Sequence, residues 1–337
     1  LSYDIEAHST TFNPDGSHKF PNAEQPGDEV LSIQYNLSRY MSGVVYRVCV
    51  YNLRRPESAA GTPCELPEPL DGCDVFYVDT EKEVLDFHGD LIASFNPSVV
   101  AGHNVLYFDE RYLHTRNATL ASLPPRDDDP RPTASQRFRH LSKAIAQRVE
   151  ERETKSESEQ RGKRFKCTSD WRGRLFVDTY EYTQLNYRLD SNRLDFIGRK
   201  FCGEHKEDLS PEELFDAADS RDPARIRQIL VYGIQDADLV QKLLVALKAI
   251  LATFVDAQQH NALVDTLTFR GPSAKAFAYI CKRAHDNGRF VDRFPEWINA
   301  SDDYEGATVF DAKVGLYHAW YNGKFLAVWD FSSLYPS

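Results

Sequence analysis

Two kinds of segment alternate along this chain: runs of period two, and runs whose apolar residues recur every three or four positions. That interleaving restricts the fold to helices packed on a sheet. Residues 2–6 alternate as a strand, Asn13-Pro14-Asp15-Gly16 reads as a turn, and residues 30–35 and 43–51 repeat the strand pattern. A Pro-, Gly- and Glu-rich loop over 55–72 leads to a strand at 75–78, a helix over 81–94 and a short buried strand at 99–102. Residues 174–178 form another strand. Asp222-Pro223 supplies an N-cap and a first-turn proline, and Ile226, Ile229, Leu230, Leu243, Leu247, Ile250, Leu251 and Phe254 then recur at helical spacing. This predicts a long helix, interrupted near Gly233. A second helix is expected over 272–286, with Phe277, Ile280, Cys281 and Ala284 on one face and Asn287-Gly288 as its stop. Residues 308–335 return to strands rich in Val, Tyr, Trp and Phe. The fold class is α/β around a central sheet.

With 337 residues the chain exceeds what one core organises, so one large domain and parts of a second or third are expected. Its 42% hydrophobic and 27% charged residues are those of an ordinary globular protein, and no apolar run approaches membrane-spanning length. The six cysteines are scattered without a Cys-x-x-Cys pair, which argues against a zinc knuckle or a disulfide scaffold and for a reducing compartment. The opening Leu1-Ser2-Tyr3-Asp4 carries no initiator Met or basic leader and reads as a cut end. Between residues 123 and 170 the composition shifts to Pro, Asp, Ser, Arg and Glu, as expected of a mobile insertion with a short helix around 139–149. A net charge of -11 opposes a nucleic-acid partner, since cationic side chains normally drive that binding. Two considerations weaken the objection: a metal-dependent site needs clustered carboxylates, and duplex-holding basic surfaces can lie in sequence outside this chain.

Three groups of acids stand out. Asp4 and Glu6, two apart on a strand, leave the same face of the sheet, where like charges invite a cation; a bare Asp-x-Glu is also an ordinary solvent-facing pair. In Gly102-His103-Asn104-Val105-Leu106-Tyr107-Phe108-Asp109 a buried strand runs into Asn104, an effective N-cap, with Asp109 early in the following helix. Strand ends are where open α/β sheets gather ligands, although Asp109 alone could simply complement a helix dipole. Tyr232 and Asp236 are i and i+4 on the long helix and stand on one face, as many surface hydrogen-bonding pairs also do. It is the combination that is improbable by chance.

These segments resemble the Exo I (Asp-x-Glu), Exo II (Asn-x-x-x-Phe-Asp) and Exo III (Tyr-x-x-x-Asp) motifs of the proofreading domain of family B DNA polymerases. The resemblance runs almost end to end and leans to the delta class. Asp109-Glu110-Arg111-Tyr112-Leu113, Tyr187-Arg188-Leu189, Lys206-Glu207-Asp208-Leu209 and Arg270-Gly271 with Lys275 fall in the family order. Tyr304-Glu305-Gly306-Ala307-Thr308-Val309 is similar to the connecting motif of that class, and Asp330-Phe331-Ser332-Ser333-Leu334-Tyr335-Pro336-Ser337 to polymerase motif A. Residues 123–170 and the acidic stretch near Asp219 depart from the pattern. The order Tyr-x-x-x-Asp, rather than His-x-x-x-x-Asp, indicates the tyrosine subgroup.

The resemblance implies an RNase H-like (DnaQ-like) 3′→5′ exonuclease domain with a mixed central sheet over residues 1–255, a helical connection over 256–300, and the start of a polymerase palm over 301–337. It implies a catalytic set of Asp4, Glu6, Asp109, Tyr232 and Asp236. Of two Mg²⁺ ions, with Mn²⁺ as a substitute, one would be held by Asp4, Glu6 and Asp236 and the other by Asp4, with Asp109 acting on it indirectly. Tyr232 would orient the attacking water. Asn104 and Phe108 would grip a frayed single strand, with Arg188 on a phosphate; a core aromatic and a surface arginine are the plainer readings of the last two. Asp330 would bind a polymerase metal, and Phe331, Ser332, Ser333, Leu334 and Tyr335 would meet the incoming deoxynucleoside triphosphate. The remaining polymerase elements would follow Ser337, so the chain itself is expected not to synthesise DNA. The parent would be a replicative polymerase, nuclear if cellular or in the host nucleus or cytoplasm if viral, with any clamp or accessory subunit bound elsewhere. The competing reading is an inactive exonuclease-like module that only binds single strands or supports the polymerase.

Overall fold

The computed structural model describes residues 1–53, 65–123, 135, 141–143, 151–158, 162–169, 171, 173–204, 209–264, 267, 272–291, 314 and 315. The chain divides into two compact units, Leu1–Arg289 and Phe290–Ser337, and all of the elements below belong to the first. Its sheet contains β1 (Ser2–Ala7), β2 (Val30–Ser38), β3 (Val44–Asn52), β4 (Asp74–Val78), β5 (Val99–Gly102) and β8 (Leu175–Asp178) in the order β4-β3-β2-β1-β5-β8. β1–β2 and β2–β3 pair antiparallel, whereas β3–β4, β1–β5 and β5–β8 pair parallel, so the sheet is mixed.

The sheet is covered on both faces. On one, Tyr3, Ile5, Ile33, Tyr35, Val48 and Val50 pack with residues of α1 (Glu81–Phe95) and α2 (Asp109–Ser122). On the other lie α4 (Leu194–Cys202), α5 (Pro211–Ser220) and α6 (Pro223–Ala246), which contribute Ile197, Leu214, Phe215, Ile229, Leu230, Leu239 and Leu243 to two further apolar clusters. Each such side chain, fully buried, contributes roughly 1.5–3 kcal/mol. The helix starts are chemically defined. Thr80 and Glu83 form a capping box on α1, Ser210 and Glu213 another on α5 with Pro211 at its first turn, and the Asp222 carboxylate caps α6 through Ala224 N.

The interruption expected near Gly233 does not occur. α6 continues to Ala246, and the break falls at Lys248, whose φ of 51° separates α6 from α7 (Ala249–His260). Gly233 serves packing instead: a Cβ there would lie 2.4 Å from Cδ of the buried Gln34 side chain on β2, so a larger residue would have to displace that amide. The region read as a mobile insertion contains an antiparallel hairpin of β6 (Glu151–Ser158) and β7 (Gly162–Ser169). Residues 141–143 are not helical, and the rest of the helix expected around 139–149 lies outside the described residues. α3 (Thr179–Asn186), α4 and α5 were not expected, while α8 (Pro272–Asp286) matches its expected bounds, with Phe277 and Ile280 exposed. Apart from residues 314 and 315, which are not in a strand, the strands expected over 308–335 lie outside the described residues, as do the connecting motif at 304–309, Lys206-Glu207-Asp208, Arg270-Gly271, Asp330 and Phe331 to Tyr335.

Candidate active site

Strand register decides where Asp4 and Glu6 point. Ser2, Asp4 and Glu6 stand opposite Asn36, Gln34 and Ser32 of β2, and directly opposed residues share a face. That face is the one α6 covers: Ser2 Oγ donates to Ala237 O at 2.8 Å, and Gly233 is seated on Gln34. Asp236, adjacent to Ala237 and one turn beyond Gly233, is buried between these two contacts, so the third motif lies over the strand that carries the first. Asp4 and Glu6 are half-buried.

Asp109 arrives from the other edge of β1. β5 pairs with β1 only at Ser2 and Ala101 and ends at Gly102, so beyond that point another acceptor can meet the β1 amides. The Asp109 carboxylate does so, accepting from Ile5 N, between Asp4 and Glu6, at 3.2 Å. The connection that delivers it is a tight turn. Asn104 adopts φ 66° and its carbonyl accepts from Tyr107 N and Phe108 N, each at 3.0 Å. Gly102 is required there, because a Cβ would lie 2.6 Å from Val105 Cβ.

Asn104 is therefore not the helix N-cap expected from the sequence. α2 begins at Asp109, Phe108 occupies the cap position without a side-chain hydrogen bond, and Asn104 is a left-handed corner four residues earlier, a conformation asparagine tolerates better than most residues.

The residue that sequence reasoning missed is Asp178. Buried at the end of β8, its carboxylate caps α3 through Tyr180 N at 2.9 Å and also accepts from Asn104 N at 2.9 Å and Leu106 N at 3.1 Å, fixing the turn before Asp109. Burial pushes Asp178 up to about 6. Burial, with added repulsion from the Asp178 and Glu110 carboxylates, pushes Asp109 up to about 8 against the Ile5 amide that pulls it down. Glu110, next in the chain, faces the other way and accepts from the buried Tyr3 hydroxyl.

Glu6, Phe108 and Tyr232 line one cleft of about 300 Å³, joined by His18, Lys19 and Phe20 from the β1–β2 connection. Phe20 is 74% exposed, and its ring meets Phe108 edge-on at 5.3 Å between centroids, so two aromatic faces flank the opening. Phe20 was also missed from the sequence. Arg188 is exposed beyond α3 and is not among the described residues lining this cleft. Among the described residues no group of three or more His, Cys, Asp or Glu side chains is arranged to hold a metal ion. The donors gathered on the α6 face and at the β1 edge are carboxylates, the oxygen chemistry that hard divalent cations prefer.

The family model "DNA polymerase family B, exonuclease domain" matches residues 1–197, more than half of the chain, and "DNA polymerase family B" matches residues 262–337. The chain belongs to DNA polymerase family B. The exonuclease match contains Asp4, Glu6, Asn104, Phe108 and Asp109, whereas Tyr232 and Asp236 lie between the two matched stretches. The chain is 30% identical over 269 residues to the DNA polymerase delta catalytic subunit of Oryza sativa subsp. japonica, covering 80% of this chain and 23% of that protein. It is 27% identical over 339 residues to the DNA polymerase of Paramecium bursaria Chlorella virus NY2A, covering 100% of this chain and 34% of that protein. It is 28% identical over 344 residues to DNA polymerase 120R of Invertebrate iridescent virus 3, covering 100% and 27%. It thus spans from under a quarter to about a third of the length of these family B relatives. No helix among the described residues is long and apolar enough to cross a membrane.

Proposed function

We propose that this chain removes the 3′-terminal nucleotide of DNA by divalent-metal hydrolysis, as the proofreading part of a DNA polymerase. The observation that carries the reading is the Asp109 carboxylate fastened to the Ile5 amide, which brings the second acidic motif onto the backbone between the two acids of the first. Asp4, Glu6 and Asp236 would hold two Mg²⁺ or Mn²⁺ ions, whose chemistry is to acidify water and neutralise charge on the leaving 3′ oxygen. Asp109 keeps its place through Ile5 and, ionised once a cation is close by, would add negative potential without having to bind directly. The Tyr232 phenol, on the same cleft as Glu6, orients the attacking water. Phe108 and Phe20 stack on the unpaired terminal bases, worth about 1–3 kcal/mol per base without reading sequence. Asn104 shapes the turn beneath that strand end, and Arg188 contacts a phosphate farther along it.

The proposed division is an exonuclease domain over 1–255, a helical connection over 256–300 and the start of a palm over 301–337. In the parent protein Asp330 would bind a polymerase metal, and Phe331, Ser332, Ser333, Leu334 and Tyr335 would meet the deoxynucleoside triphosphate. The parent would act where DNA is replicated, in the nucleus if cellular or in the host nucleus or cytoplasm if viral. Accessory subunits or a clamp would bind outside this chain.

The test is digestion of a 5′-labelled DNA single strand by the chain, with and without Mg²⁺. A ladder shortening by one nucleotide at a time, abolished by EDTA, is expected. Retardation of the strand without shortening would instead support a module that binds single strands and cuts nothing.

A further inference from the structure

The β1–β2 connection carries His18, Lys19 and Phe20 to the cleft, yet it is a long loop with only one isolated bridge, between Phe12 and His18. What holds it is on the opposite face of the sheet from Asp4 and Glu6. Arg116 of α2 is fully buried, and its guanidinium uses every nitrogen. Nε and Nη2 donate to the Glu81 carboxylate at 2.8 and 2.5 Å, Nη1 donates to Ala23 O at 3.1 Å and Gln25 O at 2.5 Å, and Nη2 also reaches Pro26 O at 3.2 Å. Thr119 Oγ1 donates to the same Ala23 O at 3.0 Å, and the Tyr112 hydroxyl donates to Asp28 O at 2.9 Å. Asp28, itself buried, closes the loop on its own start by accepting from Thr10 N and Asn22 N.

Three residues of α2 therefore fix the loop that presents Phe20, and the same helix begins with Asp109. We infer that Arg116 is a positioning residue for the nuclease site: α2 sets the distance between the acid at its first turn and the aromatic wall opposite Phe108. A planar fork suits this task where an ammonium would not, because three backbone carbonyls and a carboxylate must be met in fixed directions. This inference rests on the proposed exonuclease reading, since it assigns Arg116 a part in gripping the strand end.

The experiment compares steady-state digestion of a 5′-labelled single strand by the wild-type chain, Arg116→Lys, Phe20→Ala and the double variant. Arg116→Lys is expected to raise KM about ten-fold, the scale of one lost base stack, and to leave kcat within about two-fold. In the Phe20→Ala background the same change should raise KM no further, because both act on one contact. Should Arg116→Lys fail to fold, Tyr112→Phe/Thr119→Val removes two bonds to the loop without disturbing the ion pair. It should raise KM about three-fold by the loss of two modest hydrogen bonds, again only when Phe20 is present. An unchanged KM in the folded variant, a loss confined to kcat, or a KM effect that multiplies with Phe20→Ala would each overturn the assignment of Arg116. Absence of Mg²⁺-dependent shortening by the wild-type chain would instead overturn the exonuclease reading beneath it.

Discussion

Glu81 and Asp109 are each the first residue of a helix, each is buried, and each accepts a hydrogen bond from a sheet amide, Val30 N at 2.9 Å and Ile5 N at 3.2 Å respectively. Their electrostatic surroundings are opposite. Burial pushes the Glu81 carboxyl up, while the Arg116 guanidinium and the Val30 amide pull it back down, so a buried anion has a buried cation for company. The side-chain charges acting most strongly on Asp109 are the carboxylates of Asp178 and Glu110, and its carboxyl is pushed up to about 8. A buried acid next to further acids costs stability unless a cation joins it. The Glu81 region carries its own buried cation, whereas the strongest side-chain charges on Asp109 are further carboxylates.

The contrast can be broken most forcefully at the closed pair. Arg116→Ala strands Glu81 and should cost about 3–5 kcal/mol in urea unfolding. A loss below about 1 kcal/mol, the value of an exposed pair, would remove the distinction between the two regions.

The next test is pH. Asp109 and Asp178 keep their protons in the folded chain to higher pH than in the unfolded chain, so unfolding releases protons above the ordinary carboxylate value of 3.8, and stability falls as pH rises through that window. Above about 6 Asp178 has largely titrated, leaving Asp109 up to about 8. In EDTA the unfolding free energy should therefore decline by up to about 1.4 kcal/mol per pH unit over that interval, and Asp109→Asn should flatten the slope. An unchanged slope in Asp109→Asn would show that Asp109 is already ionised.

Gly233→Ala tests the third side of the site, because the added methyl would displace the buried Gln34 amide beneath α6 or lift the helix that carries Asp236. A cost of about 1–3 kcal/mol by urea melt is expected, with a larger loss of nuclease activity than of stability. Equal losses would mean that α6 has no special alignment with β1. At pH 7 in EDTA Asp109→Asn should stabilise the chain, because the amide oxygen can keep the Ile5 bond while the unfolded chain no longer gains an ionised carboxylate; a loss of stability would contradict the raised Asp109 value.

Much of this geometry was legible in the residues. Period two sends Asp4 and Glu6 to one face whatever the fold, and helical spacing brings Tyr232 and Asp236 together. What covers that face was not legible, because it depends on β1–β2 register and on the approach permitted by Gly233. Asn104 misled because asparagine favours both N-caps and left-handed corners, and only the turn geometry chooses between them. Two missed helices carried signals: Ser210-Pro211-Glu212-Glu213 is a capping sequence for α5, and Asp178 stands three residues before Glu181 at the start of α3. The β6–β7 hairpin was hidden by its composition, since charged and hydroxyl residues dominate both strands and leave a weak apolar alternation. Arg116 gave no local signal, because its partners at Ala23, Gln25, Pro26 and Glu81 are distant in sequence.

The most direct measurement is the Mg²⁺-dependent release of nucleotides from a 5′-labelled DNA single strand by the wild-type chain and by Asp4→Ala, with folding of both verified by urea melt. The account predicts stepwise shortening by the wild-type chain and a loss of about 1,000-fold or more in Asp4→Ala, the several kcal/mol that a lost metal contact removes from the transition state. Shortening by Asp4→Ala at the wild-type rate would contradict it.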